Sequence, residues 1–260
     1  KGIQLKGVFT FIKLSEAENL QKYIKTNCIK SAVIIGGGLI GLKVTEALID
    51  LKIKTTIIEL SDRIMATTFN KKASSIIENS LEKIGCKLRT NTTISEIKSV
   101  QGKISSVKLT TGEKISTKLL ILAIGVKPNI DLAKNTPIAV NRGIIVDDSM
   151  QTNVPDIFAA GDCCEAKDLL SGISRVIAIW PNAYRQGKIA GYNMTGKKNE
   201  QYEGNIAMNS VELAGIPTIS AGISESKDKD SEELEFFDAK QSIYKKIVLK
   251  NNKVIGFIFV

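Results

Sequence analysis

Ala32-Val33-Ile34-Ile35-Gly36-Gly37-Gly38-Leu39-Ile40-Gly41 is the stretch on which the reading of this chain turns. A short apolar run rich in β-branched residues marks a strand buried on both faces of a parallel sheet. The glycines follow without a linker, and from Leu42 to Leu51 the apolar period becomes helical. Lys54 to Ile58 returns to strand and ends at Glu59, which completes a βαβ unit in about thirty residues. In that setting each glycine has a job. Gly36 allows the tight turn out of the strand, Gly38 lets the backbone approach a pyrophosphate, and Gly41 lets helix pack on strand. The helix start adds free N–H groups and partial positive charge. Glu59 lies eighteen residues beyond Gly41, close to the ~20 expected of an acid that accepts both ribose hydroxyls. Such an acid repels a 2′-phosphate, so NAD(H) is expected over NADP(H). Arg63 is the counterweight, a cation near enough to meet a phosphate, and Glu59 is expected to prevail.

Upstream, Gly7 to Leu14 is extended. Ser15 to Glu18 fits a capping box that opens a helix with Ala17, Leu20 and Ile24 on one face. Downstream, Lys71 to Ile84 is an amphipathic helix with Gly85 just past its end. From Leu88 to Lys118 the period drops to two, with turns at Gln101-Gly102 and Thr111-Gly112, a β-meander. Leu119 to Ile124 is a second buried strand, followed by Gly125 and Pro128. A short strand is expected from Gly143 to Val146 and another at Ile157-Phe158-Ala159-Ala160, broken by Gly161-Asp162. Pro181 opens a helix that runs to Met194. Asn199 to Gly204 is polar and reads as a boundary. An α+β segment follows, with a charged loop from Glu225 to Glu233 and strands at Ile243 to Leu249 and Val254 to Val260.

The chain has 260 residues, a length suited to about two domains. With 43% hydrophobic and 24% charged residues it has an ordinary globular composition. A net charge of +9 raises the question of a nucleic-acid partner. The lysines are scattered, however, and aromatics are only 5%, so no nucleic-acid partner is expected. No apolar run approaches the ~18 residues of a membrane helix, and no membrane partner is expected. Cys28, Cys86, Cys163 and Cys164 show neither zinc spacing nor CxxC, which suits a reducing, cytoplasmic setting. The chain contains no histidine. Ser-His-Asp and Cys-His catalysis and His-ligated metals are therefore excluded within it, and no catalytic side chain or metal ligand is assigned. Any redox chemistry falls to a cofactor.

Three segments together carry a family resemblance: Ala32 to Gly41, Ala123-Ile124-Gly125-Val126-Lys127-Pro128-Asn129, and Thr152 to Cys163 with its Ile157-Phe158-Ala159-Ala160-Gly161-Asp162. The chain resembles the FAD-dependent pyridine nucleotide–disulfide oxidoreductase superfamily, most of all NADH:rubredoxin reductases and the flavoprotein part of NADH-dependent nitrite reductases. The resemblance implies an α/β fold. Its parts would be a Rossmann-like nicotinamide-binding domain with its β-meander, the remainder of an FAD domain, and a small α+β C-terminal domain. Boundaries are expected at 1–28 (linker strand and helix), 29–127 (NAD-binding), 128–200 (FAD-domain remainder) and 201–260 (interface domain).

The same resemblance implies FAD and NAD(H) as cofactors. Leu39 and Ile40 would pass near the nicotinamide, and Ile124 and Gly125 would close over the dinucleotide. Gly161 and Asp162 would meet the flavin's ribityl chain, and the helix led by Pro181 would face its pyrimidine ring. The implied activity is hydride transfer from NADH to FAD, with electrons passed to a small redox protein or a fused redox domain; a homodimer is also allowed. The alternative is a non-catalytic NAD(H)-binding module or sensor, against which the Asp162 segment speaks. With one GxGxxG motif, the chain is expected to be a fragment lacking the FAD ADP-binding unit. Cys163-Cys164 is not expected to form a disulfide. Trp180 is placed beside the Pro181 helix or in the core. Lys43 stands where many relatives carry Glu near the flavin and nicotinamide.

Overall fold

The computed structural model describes residues 2–196, 200–226 and 228–260. It opens with β1 (Val8–Thr10), α1 (Leu14–Thr26), β2 (Ser31–Ile35), α2 (Leu39–Asp50), β3 (Lys54–Ile58), α3 (Lys71–Lys83) and β4 (Lys87–Arg89). A meander of β5 (Ile94–Val100), β6 (Lys103–Leu109) and β7 (Lys114–Ser116) follows, and β8 (Leu120–Leu122) returns to the first sheet. That sheet is wholly parallel, in the order β1-β8-β2-β3-β4.

Alternation along its strands builds three layers. Ile34, Ile57 and Ile121 face a core completed by Leu20 of α1, Leu42 and Leu48 of α2, and Ile77 and Leu81 of α3. Val33, Ile58 and Leu120 face the other way, onto Ile104, Val107 and Leu109 of the meander. Both faces of the central strands are covered, which is why their sequences read as continuous apolar runs. β1, in the stretch read as a linker, pairs with β8 and so extends this sheet.

The entry to α1 differs from expectation. Lys13, not Ser15, is the N-cap, and Glu16, not Glu18, reaches back to the N–H groups of Ile12 and Lys13. The Thr10 hydroxyl donates to the same carboxylate at 2.7 Å. This anchor at the end of β1 selects Glu16, and it holds the carboxyl below its usual pKa.

A second, smaller core gathers β9 (Ile144–Ile145), β10 (Cys164–Lys167), β11 (Ser174–Arg175) and α4 (Trp180–Met194) around Val146, Met150, Cys164, Ile189 and Tyr202. The strand expected over Ile157 to Ala160 is reduced to one bridge between Gln151 and Phe158. Val154 to Asp156, with Asp156 at φ +63°, fold the run back on itself, and no other strand among the described residues pairs with it. The polar stretch read as a boundary contains Tyr202, which is buried and donates to Asn182 Oδ1 at 2.6 Å. Asn199, at the start of that stretch, lies outside the described residues.

The C-terminal segment holds β12 (Met208–Leu213), β13 (Ile216–Gly222), β14 (Ser231–Asp238), β15 (Ile243–Lys250) and β16 (Lys253–Phe259). They form an antiparallel sheet in the order β12-β13-β16-β15-β14. Among the described residues this segment has no helix, so the expected α+β unit is a sheet, and β14 already begins inside the expected charged loop. Leu213, Tyr244 and Ile258 join the large core, seating the sheet against the first unit. No helix among the described residues is long and apolar enough to cross a membrane.

Candidate functional site

The glycine loop spans the gap between β2 and α2 at the C-terminal edge of the parallel sheet, where ligands of open α/β sheets bind. Gly36 has φ +104°, and a Cβ there would lie 2.2 Å from the carbonyl oxygen of Ala123. At Gly41 a Cβ would lie 1.9 Å from the carbonyl oxygen of Gly36. Both glycines are demanded by packing of the loop on β8 and of α2 on the loop. Gly38 is different. Its φ of −83° suits any residue, and a Cβ would meet no atom within 4 Å. The fold leaves this position open, and the N–H groups of Gly38, Leu39, Ile40 and Gly41 find no acceptor among the described residues. No acidic side chain stands in the first turn of α2 to answer its partial positive charge. An open cradle of free donors at a helix N-terminus fits a pyrophosphate.

Glu59 follows β3 and turns onto the loop. One carboxylate oxygen accepts from Gly37 N at 2.6 Å and the other from Ser61 N at 2.7 Å. These two bonds fix the orientation of a half-buried carboxylate beside the cradle. Gly37 O in turn accepts from Met65 N at 2.9 Å. Arg63, considered above as a cation that could meet a phosphate, is already engaged. Its guanidinium donates to Phe69 O at 3.1 Å, to Ala66 O at 3.5 Å and to Asp62 at 2.8 Å. Ile124 and Gly125 follow β8; Ile124 is exposed, and Gly125, at φ +92°, borders open space. Leu39 and Ile40 are half-buried at the start of α2. Gly36 to Gly41, Glu59 and the Ile124-Gly125 loop thus converge on one edge of one sheet.

Gly161, Asp162 and Pro181 form a second group, at the surface beside the smaller core. Gly161, at φ +86°, donates its N–H to Gln186 Oε1 at 2.7 Å, and the Cys164 thiol donates to the same oxygen at 3.3 Å. The Asp162 carboxylate is exposed and has no hydrogen-bond partner among the described residues. Pro181 lies in the first turn of α4. Asp162 and that helix start fit the sugar-alcohol and ring parts of a flavin. The one glycine cradle among the described residues, by contrast, fits one pyrophosphate. No hydrogen bond among the described residues joins this group to the glycine loop.

Gln186, which anchors Gly161, was not anticipated. The signal was there: Asn182, Gln186 and Asn193 are polar at helical spacing and all buried. Trp180 is 86% exposed, so it is not a core residue. Cys163 and Cys164 are free thiols, and burial pushes Cys164 up to about 12. Lys43 pairs with Glu46 and donates to Glu212 O at 3.1 Å, tying α2 to the C-terminal sheet. No cluster of three or more metal-ligating side chains occurs among the described residues.

The family model described as pyridine nucleotide-disulphide oxidoreductase matches residues 1–187. The chain belongs to this family. A second model, the rubredoxin NAD+ reductase C-terminal domain, matches residues 208–260. A nitrite reductase [NAD(P)H] from Bacillus subtilis is 31% identical over 99% of this chain and 31% of its own length. The structure of an NAD-dependent persulfide reductase from A. fulgidus superimposes with a TM-score of 0.91 at 28% identity, over 100% of this chain and 50% of that one. An FAD-dependent pyridine nucleotide-disulphide oxidoreductase from Desulfovibrio vulgaris gives 0.86 at 30% identity, over 100% and 66%. The chain therefore spans about a third to a half of the curated relatives it matches. FAD and NAD(H) are the cofactors of the family, and the Rossmann-like core with a C-terminal antiparallel sheet is its fold.

Proposed function

We propose that this chain supplies the nicotinamide site of a flavoprotein NADH:acceptor oxidoreductase that passes electrons to a redox partner such as rubredoxin or a nitrite reductase domain. The observation that carries the proposal is the open position at Gly38, ringed by unpaired N–H groups and flanked by the pinned Glu59 carboxylate. Gly36 to Gly41 bind the pyrophosphate of NADH, and Glu59 takes its adenosine ribose. Leu39, Ile40, Ile124 and Gly125 shield the nicotinamide from water. Asp162 accepts from the flavin's ribityl hydroxyls, and the start of α4, with Gly161 and Pro181, faces the ring. Bound there, NADH is a hydride donor and FAD its acceptor. The protein contributes alignment and a fixed field, with no obligatory acid or base side chain.

The same reading divides the chain into 1–28, 29–127, 128–200 and 201–260, and places it in the cytoplasm with a homodimer as one association. A second reading, an NAD(H)-binding module without flavin, rests on there being one glycine cradle among the described residues. A visible spectrum of the purified chain, before and after anaerobic NADH, tests both. A flavin spectrum that bleaches supports the oxidoreductase in this chain itself. A colourless protein that shifts NADH fluorescence makes this chain the nicotinamide half alone and passes the flavin claim to sequence outside it. Neither signal removes both.

A further inference from the structure

The loop between Glu59 and α3 forms one wall of the glycine cradle and is tied down along its length. Met65 N donates to Gly37 O, Ile64 N donates to Glu78 Oε1 at 3.1 Å, and the Ser74 hydroxyl donates to Ile64 O at 2.8 Å. Its last residue, Asn70, is the N-cap of α3, and its Oδ1 accepts from Ala73 N at 3.1 Å. The Asn70 amide nitrogen points the other way. It donates at 2.5 Å to the hydroxyl of Tyr244, on β15 of the C-terminal sheet. Tyr244 is fully buried, and its hydroxyl donates onward to Glu235 at 2.7 Å. Glu235 pairs with Lys72 in the first turn of α3, and the buried Lys246 pairs with Glu233 at 2.9 Å beside it. Asn70, Lys72, Glu233, Glu235 and Lys246 line a cleft of about 740 Å³ between the two units, and Tyr244 lies buried beneath it.

The direction of the chain of bonds is fixed chemically. Lys72 beside Glu235 holds that carboxyl below its usual range, so it stays an acceptor. Burial pushes the Tyr244 hydroxyl well above its usual value, so it stays a donor. A phenylalanine would fill the same apolar space, so the hydroxyl's contribution is its two bonds. Without it, the buried Asn70 amide loses its partner, and Asn70 must turn to recover one. Asn70 ends the loop that seats Gly37 and Glu59.

We propose that Tyr244 is a positioning residue for the dinucleotide site. Through Asn70 it fixes the loop from Leu60 to Phe69, so the C-terminal sheet sets the shape of the adenosine side. This rests on the nicotinamide reading of the cradle. Tyr244→Phe removes the hydroxyl, and Asn70→Ser keeps a helix cap while removing the amide donor. Ile258→Val trims the same buried sheet face away from the latch and is the stability control. Each is folded by circular dichroism, titrated with NADH by fluorescence well below its Tm, and followed by hydrogen exchange over residues 60–70.

Both latch variants should weaken NADH binding about threefold to tenfold and speed loop exchange. The double variant should be no worse than the worse single, because both remove the same bond between Asn70 and Tyr244. Ile258→Val should lower Tm and leave affinity and loop exchange alone. Unchanged loop exchange in Tyr244→Phe overturns the proposal, as does affinity that merely follows Tm across all three variants. If the unsubstituted chain binds no NADH, the cofactor reading falls and the positioning role with it. Loop exchange would then still report whether Tyr244 orders the loop.

Discussion

Replacing Gly38 with alanine separates what the glycine loop does for the fold from what it does for a ligand. The structure offers the new methyl group open space, and a φ of −83° is ordinary for alanine. Two effects on stability remain, and they oppose each other. Alanine is a poorer N-cap than glycine, while the unfolded chain loses freedom; each is worth about 0.5–1 kcal/mol. At about 2–4 °C per kcal/mol for a chain of this size, Tm should move by no more than about 3 °C. The methyl group would nevertheless stand where a pyrophosphate must approach the N–H groups of residues 38–41. Loosening those charge-assisted bonds should raise the NADH dissociation constant about tenfold to a hundredfold.

Gly41→Ala is the contrasting case. Its methyl group would sit 1.9 Å from Gly36 O, so α2 must back away from the loop. Overpacking of that degree costs about 3 kcal/mol, a Tm loss of about 6–12 °C. Thermal unfolding and NADH fluorescence titration on both variants complete the assay. Gly38→Ala that binds NADH like the parent refutes the placement of the pyrophosphate. Gly38→Ala that unfolds like Gly41→Ala refutes the claim that the fold leaves Gly38 free.

Glu59→Ala should raise the NADH dissociation constant and cut the preference over NADPH about tenfold or more; unchanged discrimination in parallel titrations removes Glu59 from the ribose. Arg63→Ala should weaken NADH and NADPH binding to the same degree while lowering Tm, because Arg63 braces Phe69 O and Ala66 O in the loop beside the cradle; a selective loss of NADPH binding would contradict this. Burial raises the Asp168 carboxyl, but the Ser171 N–H, Arg175 and the Leu170 N–H outweigh it and hold it below its usual value. That stabilisation is complete above the unfolded pKa of about 4 and is lost as pH falls through the lower folded value. Tm of the parent should therefore fall more steeply below about pH 4 than Tm of Asp168→Asn, and parallel slopes would sink the assignment. At pH 8, alkylation should reach the exposed Cys28 well before the buried Cys164, read by peptide mass; equal rates would refute the burial of Cys164.

Features governed by neighbours in sequence were legible in the chain. β2, the glycine loop, α2 and β3 lie within thirty residues, and their periods switch where the structure switches. The meander turns at Gln101-Gly102 and Thr111-Gly112 were equally plain, since turn chemistry is local. Features decided by distant partners were not. Ser15 with Glu18 and Lys13 with Glu16 have the same spacing, and only Thr10 at the end of β1 favours the second. Ile157 to Ala160 has strand composition, yet composition does not supply a neighbouring strand to pair with. The bond between Asn70 and Tyr244 joins residues 174 apart in the chain, beyond any local pattern.

The glycine loop shows the same limit within one motif. In sequence Gly36, Gly38 and Gly41 are equivalent letters, and their roles had to come from the general chemistry of such loops. In the structure they divide by what lies opposite each Cβ. Gly36 and Gly41 face carbonyl oxygens of the protein itself, so the fold alone accounts for them. Gly38 faces nothing of the protein, so packing within the fold does not account for it. A glycine that neither conformation nor packing requires, ringed by unpaired N–H donors, is most simply explained by something outside the chain. Glu59 strengthens that explanation, because two backbone N–H groups hold its charge beside an opening instead of letting it swing into solvent. The fold therefore accounts for two of the three glycines, and the third is where the argument for a bound dinucleotide begins.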